Sequence, residues 1–177
     1  VSKFKHPNDS KNLLIILDTN KPDLVQSKSV LKLFERKVII DHHDLGKGSF
    51  KDGLIINDNE VSSTCEMIAN LVEYYEIEIE SYYATVLLAG IVLDTNNFML
   101  KTTPDTYYAA YYLASLGASA KKVQYLLKQD IEDYTERQKL MSDIETIDRR
   151  IAFTKATPYT IYRKEDLART ADTLLFF

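Results

Sequence analysis

The sequence predicts an α/β fold with a Rossmann-like, mostly parallel sheet flanked by helices, and three observations carry that expectation. Residues 13–17 form a continuous apolar run stopped by Asp18, and residues 37–40 lead a second apolar run to Asp41. Short apolar runs between polar stops are the pattern of strands buried on both faces, as parallel strands are. Between them, residues 29–34 place Val30, Leu31, Leu33 and Phe34 along a short helix. Strand, helix and strand then make one crossover unit with an acidic residue at the end of each strand.

The later elements follow in order. Residues 54–56, Leu-Ile-Ile, read as a third short strand. Ser63-Thr64-Cys65-Glu66 has the spacing of a capping box before a helix that carries Met67, Ile68, Leu71, Val72 and Tyr75. The hydroxyls of Ser62, Ser63 and Thr64 read as capping groups, with an anion seat at the helix N-terminus as the alternative. Residues 82–93 are apolar almost throughout, so periodicity does not separate helix from strand; length favours a helix that delivers Asp94-Thr95 to a loop.

Thr103-Pro104 starts another helix, with Tyr107, Tyr108, Tyr111, Tyr112 and Leu116 along it and Gly117 as its stop. Those tyrosines are expected in the core and on half-buried surface rather than as a stacking platform. Ser119 can cap a helix bearing Val123, Leu126 and Leu127, and residues 131–149 read as a longer amphipathic helix with Tyr134, Leu140, Met141, Ile144 and Ile147. After Arg149-Arg150 the pattern changes to a strand at 151–153 and a helix at 164–177. The expected domains are therefore 1–150 and 151–177, the second being the start of another α/β domain.

Composition narrows the function classes. At 177 residues and 45% hydrophobic content the chain can bury a real core. A formal net charge of -4 and a pI near 5.4 argue against binding driven by broad attraction to polyanions, so no duplex nucleic-acid partner is expected. One cysteine, Cys65, excludes an internal disulfide framework and fits a reducing, cytoplasmic compartment. No apolar stretch reaches membrane-spanning length. The start Val1-Ser2-Lys3 has no signal-peptide pattern, and the expectation is that the chain is part of something longer.

The chemistry-bearing residues lie in three places: Asp18 after the first strand, Asp41-His42-His43 at the end of the second, and Asp94 after the apolar helix. Carboxylates with neutral imidazole suit manganese, iron, magnesium or zinc, while a lone cysteine makes a thiolate site unexpected. Taken singly, each aspartate reads equally well as a cap or turn residue. Two adjacent histidines shift that balance, because the chain has only three and His6 lies in the polar N-terminal segment. In extended backbone, neighbouring side chains point to opposite sides, so His42 and His43 are expected to do different jobs.

With these residues in place the chain resembles the DHH family of phosphoesterases, and within it the DHH domain of GdpP-type cyclic-di-AMP phosphodiesterases. The matching segments are Leu17-Asp18-Thr19-Asn20-Lys21-Pro22, Val38-Ile39-Ile40-Asp41-His42-His43, Ser62-Ser63-Thr64-Cys65-Glu66, and Leu88 through Phe98 with Asp94 at its centre. The spacing is 24 positions from Asp18 to His42 and 52 from His42 to Asp94. The family's first motif, His-x-Asp-x-Asp, belongs upstream of Asp18, and no such run occurs in the 177 residues. Asn20 stands where GdpP-type proteins usually have histidine.

The resemblance implies a centre of two manganese ions, with Asp18 bridging both and His42 and Asp94 ligating one. It implies His43 facing the scissile phosphate, with Asp41 orienting an imidazole. The reaction implied is hydrolysis of cyclic-di-AMP to linear pApA; alternatives are action on short oligonucleotides, pApA or pyrophosphate, and a catalytically silent domain for regulation or assembly. Residues 1–150 would be a DHH domain lacking its N-terminal part, and 151–177 a linker and the start of a DHHA1-like domain. A homodimer and a parent protein tethered to the inner face of the cell membrane are compatible with the resemblance.

Overall fold

A computed structural model describes residues 12–128, 130–148, 150–156 and 161–175. The readings of His6 and of the first residues lie outside them. The chain divides into two compact units, 1–127 and 128–177.

The first unit is built on a three-stranded parallel sheet in the order β1 (Leu14–Leu17), β2 (Lys37–Asp41), β3 (Leu54–Asn57). Leu17 pairs with Ile40, Ile40 with Ile56, and Asp41 with Asn57, so all three strands end at one edge. The short helix α1 (Lys28–Leu31) makes the first crossover and is capped by Ser27, whose hydroxyl accepts from the Val30 N–H. Ile16, Ile39 and Phe50 form a small core with Leu14, Val25, Leu31 and Ile55 packed around it.

Among the described residues, four helices complete this unit: α2 (Thr64–Tyr74), α3 (Ser81–Asp94), α4 (Pro104–Ser115) and α5 (Ala120–Leu126). The apolar segment of ambiguous period is helical, and length decides it: a run this long makes its backbone hydrogen bonds within itself. Its small residues let α2 and α4 approach closely. A Cβ at Gly90 of α3 would collide with the Cys65 side chain of α2. Ala69, Ala84, Leu88, Ala89, Ile91, Ala109, Leu113 and Val123 form the helical core.

Two local expectations change. Thr103 and Thr106 form the capping box of α4, and Gly117 follows its end in the left-handed conformation, φ 88°. The core of that helix, however, is Thr106, Ala109 and Leu113, while Tyr107, Tyr108 and Tyr111 are exposed. Small residues fill the close helix contacts and leave the larger rings, whose hydroxyls need water or a partner, outside. At α2, Ser63 caps as expected, but the Glu66 carboxylate accepts from the backbone N–H and hydroxyl of Ser62 instead of closing the box on Ser63.

The second unit holds α6 (Ile131–Ser142), an antiparallel pair β4 (Glu145–Ile147) and β5 (Ile151–Phe153), and α7 (Lys164–Leu174). The helix expected over 131–149 therefore ends at Ser142. Thr146 and Ile147 enter a strand, since a tight turn with Asp148 at φ 50° brings Ile151 opposite Ile147, and β-branched side chains fit a paired strand better than a free helix end. The boundary expected near 150 thus differs from the division at 127 and 128, because α6 packs against α7.

Candidate metal centre

The parallel register brings the site together. Ladder bonds continue one residue past the strands: Asp18 N–H donates to the Ile40 carbonyl at 3.0 Å, and Asp58 N–H to the Asp41 carbonyl at 3.2 Å. Asp18, His42 and Asn57 therefore emerge side by side at the carboxyl ends of the strands, where parallel α/β sheets bind ligands. Asp94 arrives from a different direction as the last residue of α3.

The buried imidazole of His42 is the centre of the arrangement. Its Nε2 lies 3.7 Å from Asp18 Oδ1 and 3.9 Å from Asp94 Oδ2, while Nδ1 meets the Val61 carbonyl at 3.4 Å. A carbonyl can only accept, so the proton belongs on Nδ1. In the neutral ring the Nε2 lone pair then faces two carboxylates, acceptor against acceptors, and a cation between them resolves the conflict. Two carboxylates and a histidine oriented by a backbone carbonyl form an oxygen and nitrogen donor set suited to a hard or borderline divalent ion.

Asp18 and Asp94 reinforce this electrostatic picture. Burial pushes the Asp94 carboxyl up from its ordinary value, and the charge of Asp18 adds to that, while His42 and His43 oppose it. Asp18 has φ 63°, a left-handed conformation that L residues other than asparagine and aspartate seldom adopt. The Thr64 hydroxyl at the start of α2 donates to Asp18 Oδ1 at 3.0 Å. The serine and threonine cluster thus splits its duties: Ser62 serves Glu66, Ser63 caps α2, and Thr64 holds Asp18.

His43 does a different job from its neighbour. It is exposed, stands edge-on to His42 with ring centroids 4.4 Å apart, and donates from Nδ1 to Asp41 Oδ1 at 2.7 Å. Asp41 is fully buried, and among the described residues its Oδ2 is the one buried side-chain oxygen or nitrogen without a hydrogen-bond partner. An atom from each of Asp18, His42 and His43 falls within 4.8 Å of the others. A cavity of about 580 Å³ opens beside Asp18, Asp41 and His43, with β1 and Leu24 on its apolar side.

All five residues singled out in the sequence thus meet at one edge of the sheet. The sequence reading passed over Asn57, whose side-chain amide donates to the carbonyls of Asp41 and His43 at 2.9 Å each. Its signal was a polar residue closing the third apolar run, the same signal that marked Asp18 and Asp41.

Comparison with known proteins adds to this geometry. The model of the DHH family, N-terminal domain, matches residues 2–91. The cyclic-di-AMP phosphodiesterase GdpP of Geobacillus thermodenitrificans is 36% identical over 166 residues, covering 92% of this chain and 25% of that protein. The chain therefore spans about a quarter of the length of such relatives. A Thermotoga maritima protein named "Probable manganese-dependent inorganic pyrophosphatase" is 32% identical over 97 residues, 55% of this chain and 17% of its own. The crystal structure of an exopolyphosphatase-related protein from Bacteroides fragilis shares the fold, with a TM-score of 0.69 at 20% identity over 90% of this chain and 47% of that one.

Proposed function

The chain belongs to the DHH family, and from that premise we propose that it is the DHH part of a manganese-dependent phosphodiesterase that hydrolyses cyclic-di-AMP to linear pApA. In this reading Asp18, His42 and Asp94 would hold the metal. The observation that supports it is the His42 Nε2 lone pair set between two carboxylates while Nδ1 is engaged by a carbonyl. Manganese held there supplies a bound water of lowered pKa and positive charge opposite the phosphoryl oxygens.

The remaining chemistry belongs to the side chains. Asp41, buried and accepting from His43 Nδ1, fixes the orientation of that ring. Nε2 of His43 is then the ring nitrogen free to face a non-bridging phosphate oxygen. Water adds across one of the two phosphodiester bonds, leaving a 5′-phosphate on one nucleoside and a free 3′-hydroxyl on the other. Cys65 fits a reducing, cytoplasmic setting, and a membrane anchor would lie in parts of the longer protein beyond these residues. Residues 151–177 are read as the start of a DHHA1-like domain.

Pyrophosphate is the second reading, favoured by the Thermotoga relative. Assays of the full-length protein with both substrates decide between them. Manganese-dependent opening of cyclic-di-AMP is expected, with a loss of at least about a hundredfold on His42→Ala or Asp94→Ala, more than removal of an outer partner costs. Wild-type rates in both variants would sink the ligand assignment.

A further inference from the structure

Asn20 is 2% exposed, and both polar atoms of its side chain are engaged. Its Nδ2 donates to the His43 carbonyl at 3.1 Å and the Asp44 carbonyl at 3.4 Å. Its Oδ1 accepts from the Ser49 hydroxyl at 2.9 Å, and its backbone carbonyl from the Phe50 N–H at 2.8 Å. The Ser49 oxygen in turn accepts from the Gly46 N–H at 3.0 Å. One side chain thus joins the loop after β1 to the whole loop that follows His43.

We propose that Asn20 is a positioning residue that ties the Asp18 loop to the His42-His43 loop and sets the spacing of the metal ligands; this rests on the reading of Asp18 and His42 as ligands. Only Thr19 separates Asn20 from Asp18, whose left-handed backbone needs holding by its surroundings. Asn57 grips the same His43 carbonyl from the β3 side at 2.9 Å, so the segment carrying the two histidines is held from both neighbouring strands. With every polar atom of its side chain committed, Asn20 offers nothing to a substrate and acts through the residues it holds. A buried amide facing two carbonyls is also specific: aspartate would set oxygen against oxygen, and alanine would take one donor from the His43 carbonyl, the side-chain donor from the Asp44 carbonyl and the acceptor from the Ser49 hydroxyl.

The test uses the 177-residue chain, comparing wild type with Asn20→Ala and Ser49→Ala. Manganese affinity is read by electron paramagnetic resonance titration, and amide exchange in the metal-free chain by NMR. Asn20→Ala is expected to weaken manganese binding about tenfold, the scale for losing an outer partner of a ligand. It should also speed exchange about tenfold at the Gly46, Ser49 and Phe50 amides while Leu88, Ile91 and Leu113 keep their protection; one lost hydrogen bond is worth that order. Ser49→Ala, which spares both Nδ2 bonds, should fall between in manganese affinity and in exchange at Phe50, and it carries the test if Asn20→Ala does not fold. Unchanged loop exchange, exchange raised equally in the helical core, or faster loop exchange with manganese affinity unchanged each overturn the proposal. If wild type binds no manganese, the ligand reading is decided by His42→Ala and Asp94→Ala in the full-length protein, and loop exchange alone upholds or overturns the tie.

Discussion

Cys65 sits beside the candidate centre, half-buried at the start of α2. Burial, with the nearby charges of Asp94 and Asp18 adding to it, pushes its thiol up to about 11 from an ordinary 9.0. The fold therefore favours the neutral thiol. Between pH 9 and 11 the unfolded chain loses this proton first, so stability falls across that window and is unaffected by Cys65 below it. Since the thiolate is the nucleophile, alkylation by iodoacetamide at pH 8 should run about a hundredfold slower in the folded chain than in urea-unfolded chain. Equal rates would show that the site does not hold the proton. The five residues of the candidate site were legible one by one because strands stop where polar residues begin. Their separate contacts were not: alternation along extended backbone predicts opposite sides for His42 and His43, yet both follow the end of β2 and their ring centroids lie 4.4 Å apart.

At the scale of elements, the contact between α2 and α3 depends on Gly90. Replacing it with alanine drives a methyl group into Cys65, and overpacking of this kind costs about 1–3 kcal/mol. Urea unfolding of Gly90→Ala should show that loss, with part recovered in Gly90→Ala/Cys65→Ala, where the sulfur is gone; no recovery would place the strain elsewhere. In the second unit, Arg163 at the N-cap of α7 donates to both oxygens of Asp166, at 2.8 and 3.2 Å, and holds that carboxyl below its ordinary 3.8. A lowered carboxyl contributes stability above its ordinary value and loses it as pH falls through the folded one. Asp166→Asn should therefore melt below wild type at pH 7, with the gap closing as the pH is taken below 3.8. A gap independent of pH would deny the ion pair its role. The helix expected over 131–149 shows where local pattern fails: Ile144 and Ile147 fit a helical period, yet the pairing of Glu145–Ile147 with Ile151–Phe153 offers that backbone a partner that no window of sequence displays.

At the scale of the molecule, the two ions of the proposed centre ask for more donors than Asp18, His42 and Asp94 supply. The DHH resemblance assigns three more to a His-x-Asp-x-Asp run that these 177 residues do not contain. On that proposal the isolated chain should hydrolyse cyclic-di-AMP at least about a hundredfold more slowly than the full-length protein under manganese, since Asp18 would lack the donors of a second ion. Rapid turnover by the chain alone would refute the two-ion reading. What the sequence by itself determined is the parallel sheet, the helical nature of the long apolar segment and the five polar residues at element ends, because burial selects apolar runs and solvent or ligand stops them. The tertiary structure alone decided that Asp94 meets His42, that Thr64 holds Asp18 and that Asn20 and Asn57 share the His43 carbonyl. Those contacts join residues far apart in the chain, and only the register of the sheet and the packing of α2 and α3 bring them together.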